Sequence, residues 1–229
     1  MENFEFTYNV DMVFCIDCTG SMGKLLDTVK ENALNFYSDV VNSLENGKKK
    51  KKINSLRIRI VAFRDYLADH NKAMLVTDFF HLPEQNEEFE KCVRGLQPSG
   101  GGDEPEDGLE ALAYAIKSKW NTEGVRNRQI IVVWTDASTH ELGFGKADPN
   151  YPNGMAKDFD TLTEWWGDAQ NSGFMNQSAK RLLLFAPDAK YWSTISDNWD
   201  QVIHFPSKAG KGLAEVDYET ILNTIYNSI

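Results

Sequence analysis

The run Asp17-Cys18-Thr19-Gly20-Ser21 carries short oxygen-bearing side chains on alternate residues, with a glycine that permits a tight turn. Asp65 and Asp136 share a property with Asp17: each lies within two residues of the end of an apolar, strand-like run. Three acids brought to one sheet edge would repel unless a cation or an arginine neutralised them. A hard divalent ion answers this, because it takes oxygen ligands from carboxylates and hydroxyls. Taken alone, Asp-x-Thr-x-Ser has a plainer reading, since all three residue types cap helices. Its conjunction with the other strand ends favours a cation.

The elements that must position these residues are read from hydrophobic periodicity. Residues 10–16 form an apolar run stopping at Asp17, as in a strand buried on both faces of a parallel sheet. Leu26, Val29, Ala33, Phe36, Val40 and Leu44 then recur at helical spacing and predict one long helix. Further strands are expected at 58–63, 73–80, 129–134, 181–185 and 201–205, with helices at 84–95, 105–120, 158–172, 189–196 and 217–228. Pro105 is placed in the first turn of its helix. The connection into 73–80 is too short for a helical crossover, so that strand should be antiparallel and at the edge. The fold class that follows is α/β: a doubly wound, mostly parallel six-stranded sheet with one antiparallel edge strand and helices on both faces, over a single domain 1–229. In such sheets ligands bind at the carboxyl ends of the strands. Residues 138–157 lack periodicity, and a loop of that length is a candidate contact surface.

With its order of strands and loops, the first run resembles the metal-ion-dependent adhesion site of von Willebrand factor A domains, whose first loop reads Asp-x-Ser-x-Ser; Thr19 replaces the first Ser and keeps the oxygen. The resemblance implies ligands from two later loops, Asp103-Glu104-Pro105-Glu106 and Asp136, with Thr135 supporting Asp136. The second loop is similar to the Asp-x-Pro-Glu version of integrin β-type domains, which points to Glu106; Asp103 remains open as a ligand, as a helper of a second ion, or as a helix cap. Gly20 and Asp65 are assigned supporting or partner-binding roles. The implied function is a protein-binding module that holds one Mg²⁺, with Mn²⁺ or Ca²⁺ as alternatives, and receives a carboxylate from a protein partner. The alternatives are a metal-dependent hydrolase, or a scaffold subunit with a vestigial metal site.

Several other features take bland readings. A net charge of -10 argues against nucleic acid as partner, and no apolar run approaches the roughly 20 residues needed to cross a bilayer. The chain is read as cytoplasmic: three cysteines do not make a disulfide framework, and the N-terminus lacks a signal peptide. Cys15-x-x-Cys18 reads as a structural thiol inside a strand rather than a redox pair, and the four histidines, with no zinc spacing, as loop or surface residues. Arg64-Asp65 reads as an ordinary surface pair, and Lys48–Lys52 as a solvated loop. Enzyme activity is not expected, because no paired nucleophile, P-loop or dinucleotide fingerprint is present. Asp17 is taken as a surface-edge carboxylate, whose replacement by Ala should remove the ion and leave the fold intact.

Overall fold

A computed structural model describes residues 7–46, 51–102, 104–211, 213 and 217–229. Strand β1 (Thr7–Asp17) is its centre, paired in parallel on one side with β2 (Lys52–Phe63) and on the other with β5 (Asn127–Trp134). β6 (Lys180–Pro187) and β7 (Val202–Ser207) extend the sheet in parallel beyond β5. Two short strands, β3 (Met74–Val76) and β4 (Phe80–Leu82), pair antiparallel with β2. The strand order is β3-β2-β1-β5-β6-β7, with β4 also on β2, so the sheet has seven strands. The fold class is the expected one. The expected edge strand 73–80 divides in two, because β3 follows the carboxyl end of β2 and β4 its middle.

Alternation along the strands builds two cores. From β1, Val10, Met12, Phe14 and Ile16 face one side, joined by Ile58 and Ile60 of β2 and Ile130, Val132 and Trp134 of β5. Val13 and Cys15 face the other, with Val61, Phe63, Ile131 and Val133. Each fully buried Val, Leu, Ile, Phe or Met side chain is worth about 1.5–3 kcal/mol, and β1, buried on both faces, supplies both cores. Helices α1 (Gly23–Asn32), α2 (Phe36–Asn46), α4 (Asn86–Gly95) and α8 (Tyr218–Ser228) cover the first side. Helices α5 (Gly108–Ile116), α6 (Phe159–Trp166) and α7 (Lys190–Asn198) cover the second. A four-residue helix, α3 (Tyr66–Asp69), follows β2.

The apolar stripe from Leu26 to Leu44 is buried throughout, but it belongs to two helices joined by a 3-10 turn at Ala33–Asn35. There Asn32 Nδ2 donates back to the Thr28 carbonyl, 2.8 Å away. Helix α5 starts at Gly108 rather than Pro105, because Glu106 is drawn into a short parallel bridge with Thr139. Trp165 and Trp166 divide as adjacent helical residues must: Trp166 is buried and Trp165 partly exposed. Lys48–Lys50 lie outside the described residues, and Lys52 opens β2. Among the described residues no helix is long and apolar enough to cross a membrane.

Candidate functional site

Register decides where the acids gather. Asp17 pairs with Phe63 and Ile16 with Trp134, so β1, β2 and β5 end level and deliver Asp17, Arg64-Asp65 and Thr135-Asp136 to one edge. The chain leaves β1 through α1 and α2 on one face and leaves β5 through α6 on the other. That divergence makes the β1/β5 junction the topological switch point of the sheet, the crevice where open α/β sheets bind ligands.

At this crevice the first loop closes on itself. One Asp17 oxygen accepts from the Thr19 amide (2.8 Å) and the Thr19 hydroxyl (2.6 Å); the other accepts from the Thr135 hydroxyl (2.7 Å). Ser21 donates to Asp136 at 2.7 Å, and the Thr19 and Ser21 hydroxyl oxygens stand 3.5 Å apart. Asp17, Thr19, Thr135 and Asp136 are buried, whereas Ser21 is exposed. Both hydroxyls thus point their protons at carboxylates and keep their lone pairs. Thr135 is braced by the Ala137 amide at 3.0 Å, which fits a supporting role.

Glu106 comes to the same place from the start of α5. Its Oε2 is buried with no hydrogen-bond partner, and its backbone is held by Ser138 and His140. Gly101 stands between it and Thr19: a Cβ there would lie 2.5 Å from both Glu106 Oε1 and Thr19 Cγ2, and its φ of +92° is one that side chains rarely adopt. The tight turn therefore depends on Gly101. Gly20 has no such requirement, since a Cβ at that exposed position would meet nothing within 4 Å. The Gly101 amide donates to Asp69 at 2.9 Å.

The electrostatics are those of crowded acids. Burial, with help from Asp136, raises Asp17 to about 6 against the opposing hydrogen bonds from Thr19 and Thr135. Glu106 is pushed up to about 9, first by burial and then by Asp17, Asp65, Asp69 and Asp107. Asp107 rises to about 8 by burial and the nearby Glu110. The oxygen-only donor set and the orphaned Glu106 oxygen fit a hard divalent cation. Among the described residues no three His, Cys, Asp or Glu side chains group as a metal site by themselves. Asp103 lies outside the described residues.

Two expectations need correction. Asp17 is not a surface-edge carboxylate: it is fully buried and anchors three hydrogen bonds. Arg64 and Asp65 are not a surface pair. Asp65 is buried, accepts from the Leu67 and Ala68 amides that open α3, and meets His140 Nε2 at 3.0 Å. Arg64 instead donates to the carbonyls of Cys18, Lys72, Gln97 and Ser99. His140 is consequently no free surface group; it also stacks on Phe144 at 4.0 Å. Cys15 and Cys18 are buried free thiols, and burial raises both, Cys18 to about 12, as inert structural cysteines require. Sequence reasoning missed Asp69, Gly101, Asp107, Glu110 and His140. Only the glycine run 100–102, and a glutamate inside the otherwise apolar Leu109–Ala113 stretch, carried a visible signal.

Residues 11–143, more than half the chain, match the family model described as von Willebrand factor A domain. The chain belongs to the von Willebrand factor A domain family. Domains of this family typically serve as protein-interaction modules. Two curated relatives are similar. The alpha-protein kinase vwkA of Dictyostelium discoideum is 26% identical over 145 residues, covering 63% of this chain and 21% of the kinase. A putative ariadne-like RING finger protein of Acanthamoeba polyphaga mimivirus is 26% identical over 155 residues, 67% of this chain and 13% of that protein. The chain thus spans about a fifth or less of the length of these relatives. Among solved structures, the pilus adhesin SpaC of Lactobacillus rhamnosus GG aligns over 99% of this chain and 31% of its own, with a TM-score of 0.51 and 13% identity, a likeness of fold.

Proposed function

We propose that this von Willebrand factor A domain holds one divalent cation, Mg²⁺ in the first instance, through Thr19, Ser21, Glu106, Asp17 and Asp136, and uses it to bind a carboxylate of a protein partner. The observation that carries this reading is the oxygen cluster at the β1/β5 switch point, where two hydroxyls keep their lone pairs beside a buried Glu106 oxygen that has no partner. A bound Mg²⁺ would supply positive charge and an exchangeable water position that a partner carboxylate can take.

The residues divide the work. Asp17 accepts three hydrogen bonds, so of roughly four lone-pair sites it has about one left: it positions Thr19 and Thr135 and contributes charge. Asp136 orients Ser21, the most exposed donor and hence the one nearest an incoming group. Gly101 keeps the space between Thr19 and Glu106 clear. The proposal is binding rather than catalysis, in a reducing, cytoplasmic setting compatible with the three free cysteines. The modest share of its relatives that the chain spans is compatible with a domain serving a larger protein.

The test is calorimetric titration of Mg²⁺ and Mn²⁺ into the chelator-stripped chain, beside Ser21→Ala. One saturable site that Ser21→Ala weakens at least tenfold is expected; a wild-type chain that takes up neither ion would overturn the reading.

A further inference from the structure

We propose that the cleft between the carboxyl end of α5 and residues 152–155 is a second recognition site, which receives a glutamate or aspartate side chain from an extended segment of a protein partner. The cleft holds a cavity of about 180 Å³, bordered by Arg59, Tyr114, Lys117, Gly154, Met155 and Trp165. At about 30 Å³ per water, that is room for one side chain rather than a cofactor. Lys117 lies nine residues beyond the first residue of α5, roughly 13 Å along the helix at 1.5 Å per residue, so the cleft is separate from the Glu106 end. The inference does not rest on the cation.

Charge selects the ligand. The chain carries a net charge of -10, yet two cations and no carboxylate line this cavity. Among the described residues neither Arg59 nor Lys117 has a carboxylate within 4 Å, although Asp78 acts on Arg59 from farther away. Both are nevertheless held in place. The Arg59 Nε donates to the Thr77 carbonyl at 2.7 Å and Nη1 to Ser118 Oγ at 2.8 Å, which uses two of its five N–H donors and leaves three. Lys117 Nζ sits 4.5 Å from the Trp165 ring centre, 5.5 Å from that of Phe174 and 3.4 Å from the Gly154 carbonyl. An aromatic cage of this kind fixes an ammonium without neutralising it, so an arriving anion meets a charge whose ordering cost is already met.

The walls select the carrier of that charge. Ala113, Pro152 and Met155 offer apolar surface to the methylene stem of an acidic side chain. At the rim, Gly154 and Asn153 are exposed, and they give an extended main chain polar groups to meet. A free inorganic anion would use the two cations and none of these walls. The cleft also gives the long 138–157 loop, flagged from its sequence as a contact surface, a specific use.

The test titrates a terminally blocked tetraglutamate peptide into the metal-stripped full chain in chelator-free buffer, with tetraglutamine and inorganic phosphate as parallel probes. Saturable binding of tetraglutamate is expected, weakened roughly tenfold by Lys117→Gln, as befits one hydrogen bond to a charged group, and abolished by Lys117→Glu. Lys119→Gln, at an exposed lysine nearby, should leave it unchanged. No binding, equal binding to Lys117→Gln, equal loss in Lys119→Gln or equal binding of tetraglutamine would each overturn the proposal. Phosphate competing as tightly as the peptide would assign the cleft to a free anion and overturn the partner. Because metal is absent throughout, failure here is independent of failure of the cation site.

Discussion

Two groups of buried acids lie within one edge of this domain, and they are treated differently. Asp17 accepts three hydrogen bonds from Thr19 and Thr135, and Asp136 accepts one from Ser21. Along the start of α5, by contrast, Glu106, Asp107 and Glu110 each keep one buried oxygen with no partner. The first group is largely satisfied by the chain's own donors. The second bears the cost of burial with less compensation, which shows as Glu106 raised to about 9 and Asp107 to about 8, against about 6 for Asp17. The difference teaches which acids hold the architecture and which are left for something else to satisfy.

Removing an acid of the first group should have the largest effect. Asp17→Ala strands the Thr19 amide and the Thr135 hydroxyl in a dry site, and at about 1–3 kcal/mol for each unsatisfied group it should destabilise by about 3 kcal/mol or more, read by urea denaturation. A loss below 1 kcal/mol would show that the two groups of acids are equivalent. Gly101→Ala should come next, costing about 2 kcal/mol because a left-handed φ and a 2.5 Å approach must both be relieved. It should weaken Mn²⁺ uptake at the same time, and a variant as stable as wild type would remove Gly101 from the site.

Glu110→Gln sharpens the comparison from the other side, since the acid is raised above its ordinary 4.5 by burial, against hydrogen bonds from Gly143 and Tyr151. A raised folded-state acid means that the folded chain binds more protons than the unfolded one. Its stability contribution is therefore present below pH 4.5 and is lost as pH rises through the folded value. Glu110→Gln should gain stability over wild type at pH 8 and lose most of that gain at pH 4.5; a pH-independent difference would contradict the account. Ser21→Ala should have the smallest effect on stability, within about 0.5 kcal/mol as for exposed positions, while weakening cation binding at least tenfold. Equal loss of both would deny that this hydroxyl is a surplus donor.

Much of the fold could be read from the sequence, because doubly buried strands announce themselves as apolar runs: 10–16 and 129–134 lie within β1 and β5. The strand ends followed, and with them the convergence of Asp17, Asp65 and Asp136. What escaped reading depends on contacts between distant residues. Nothing local says that His140 will meet Asp65, 75 positions earlier, or that Glu106 will bridge to Thr139 and delay the start of α5. Asp17 was misjudged for a related reason: a residue at the end of a strand is buried or exposed according to the loops laid over it, here those of Thr19 and Thr135.

One side chain decides how those loops behave together. The Arg64 guanidinium holds carbonyls of Cys18, Lys72, Gln97 and Ser99 at 2.6–3.0 Å, tying the loop after β1, the turn before β3 and the glycine run to the end of β2. These segments should share one opening event in hydrogen exchange instead of fraying separately. A ligand that grips any one of them would therefore quiet all three, and a lysine at 64, with a single nitrogen, could not reproduce the coupling.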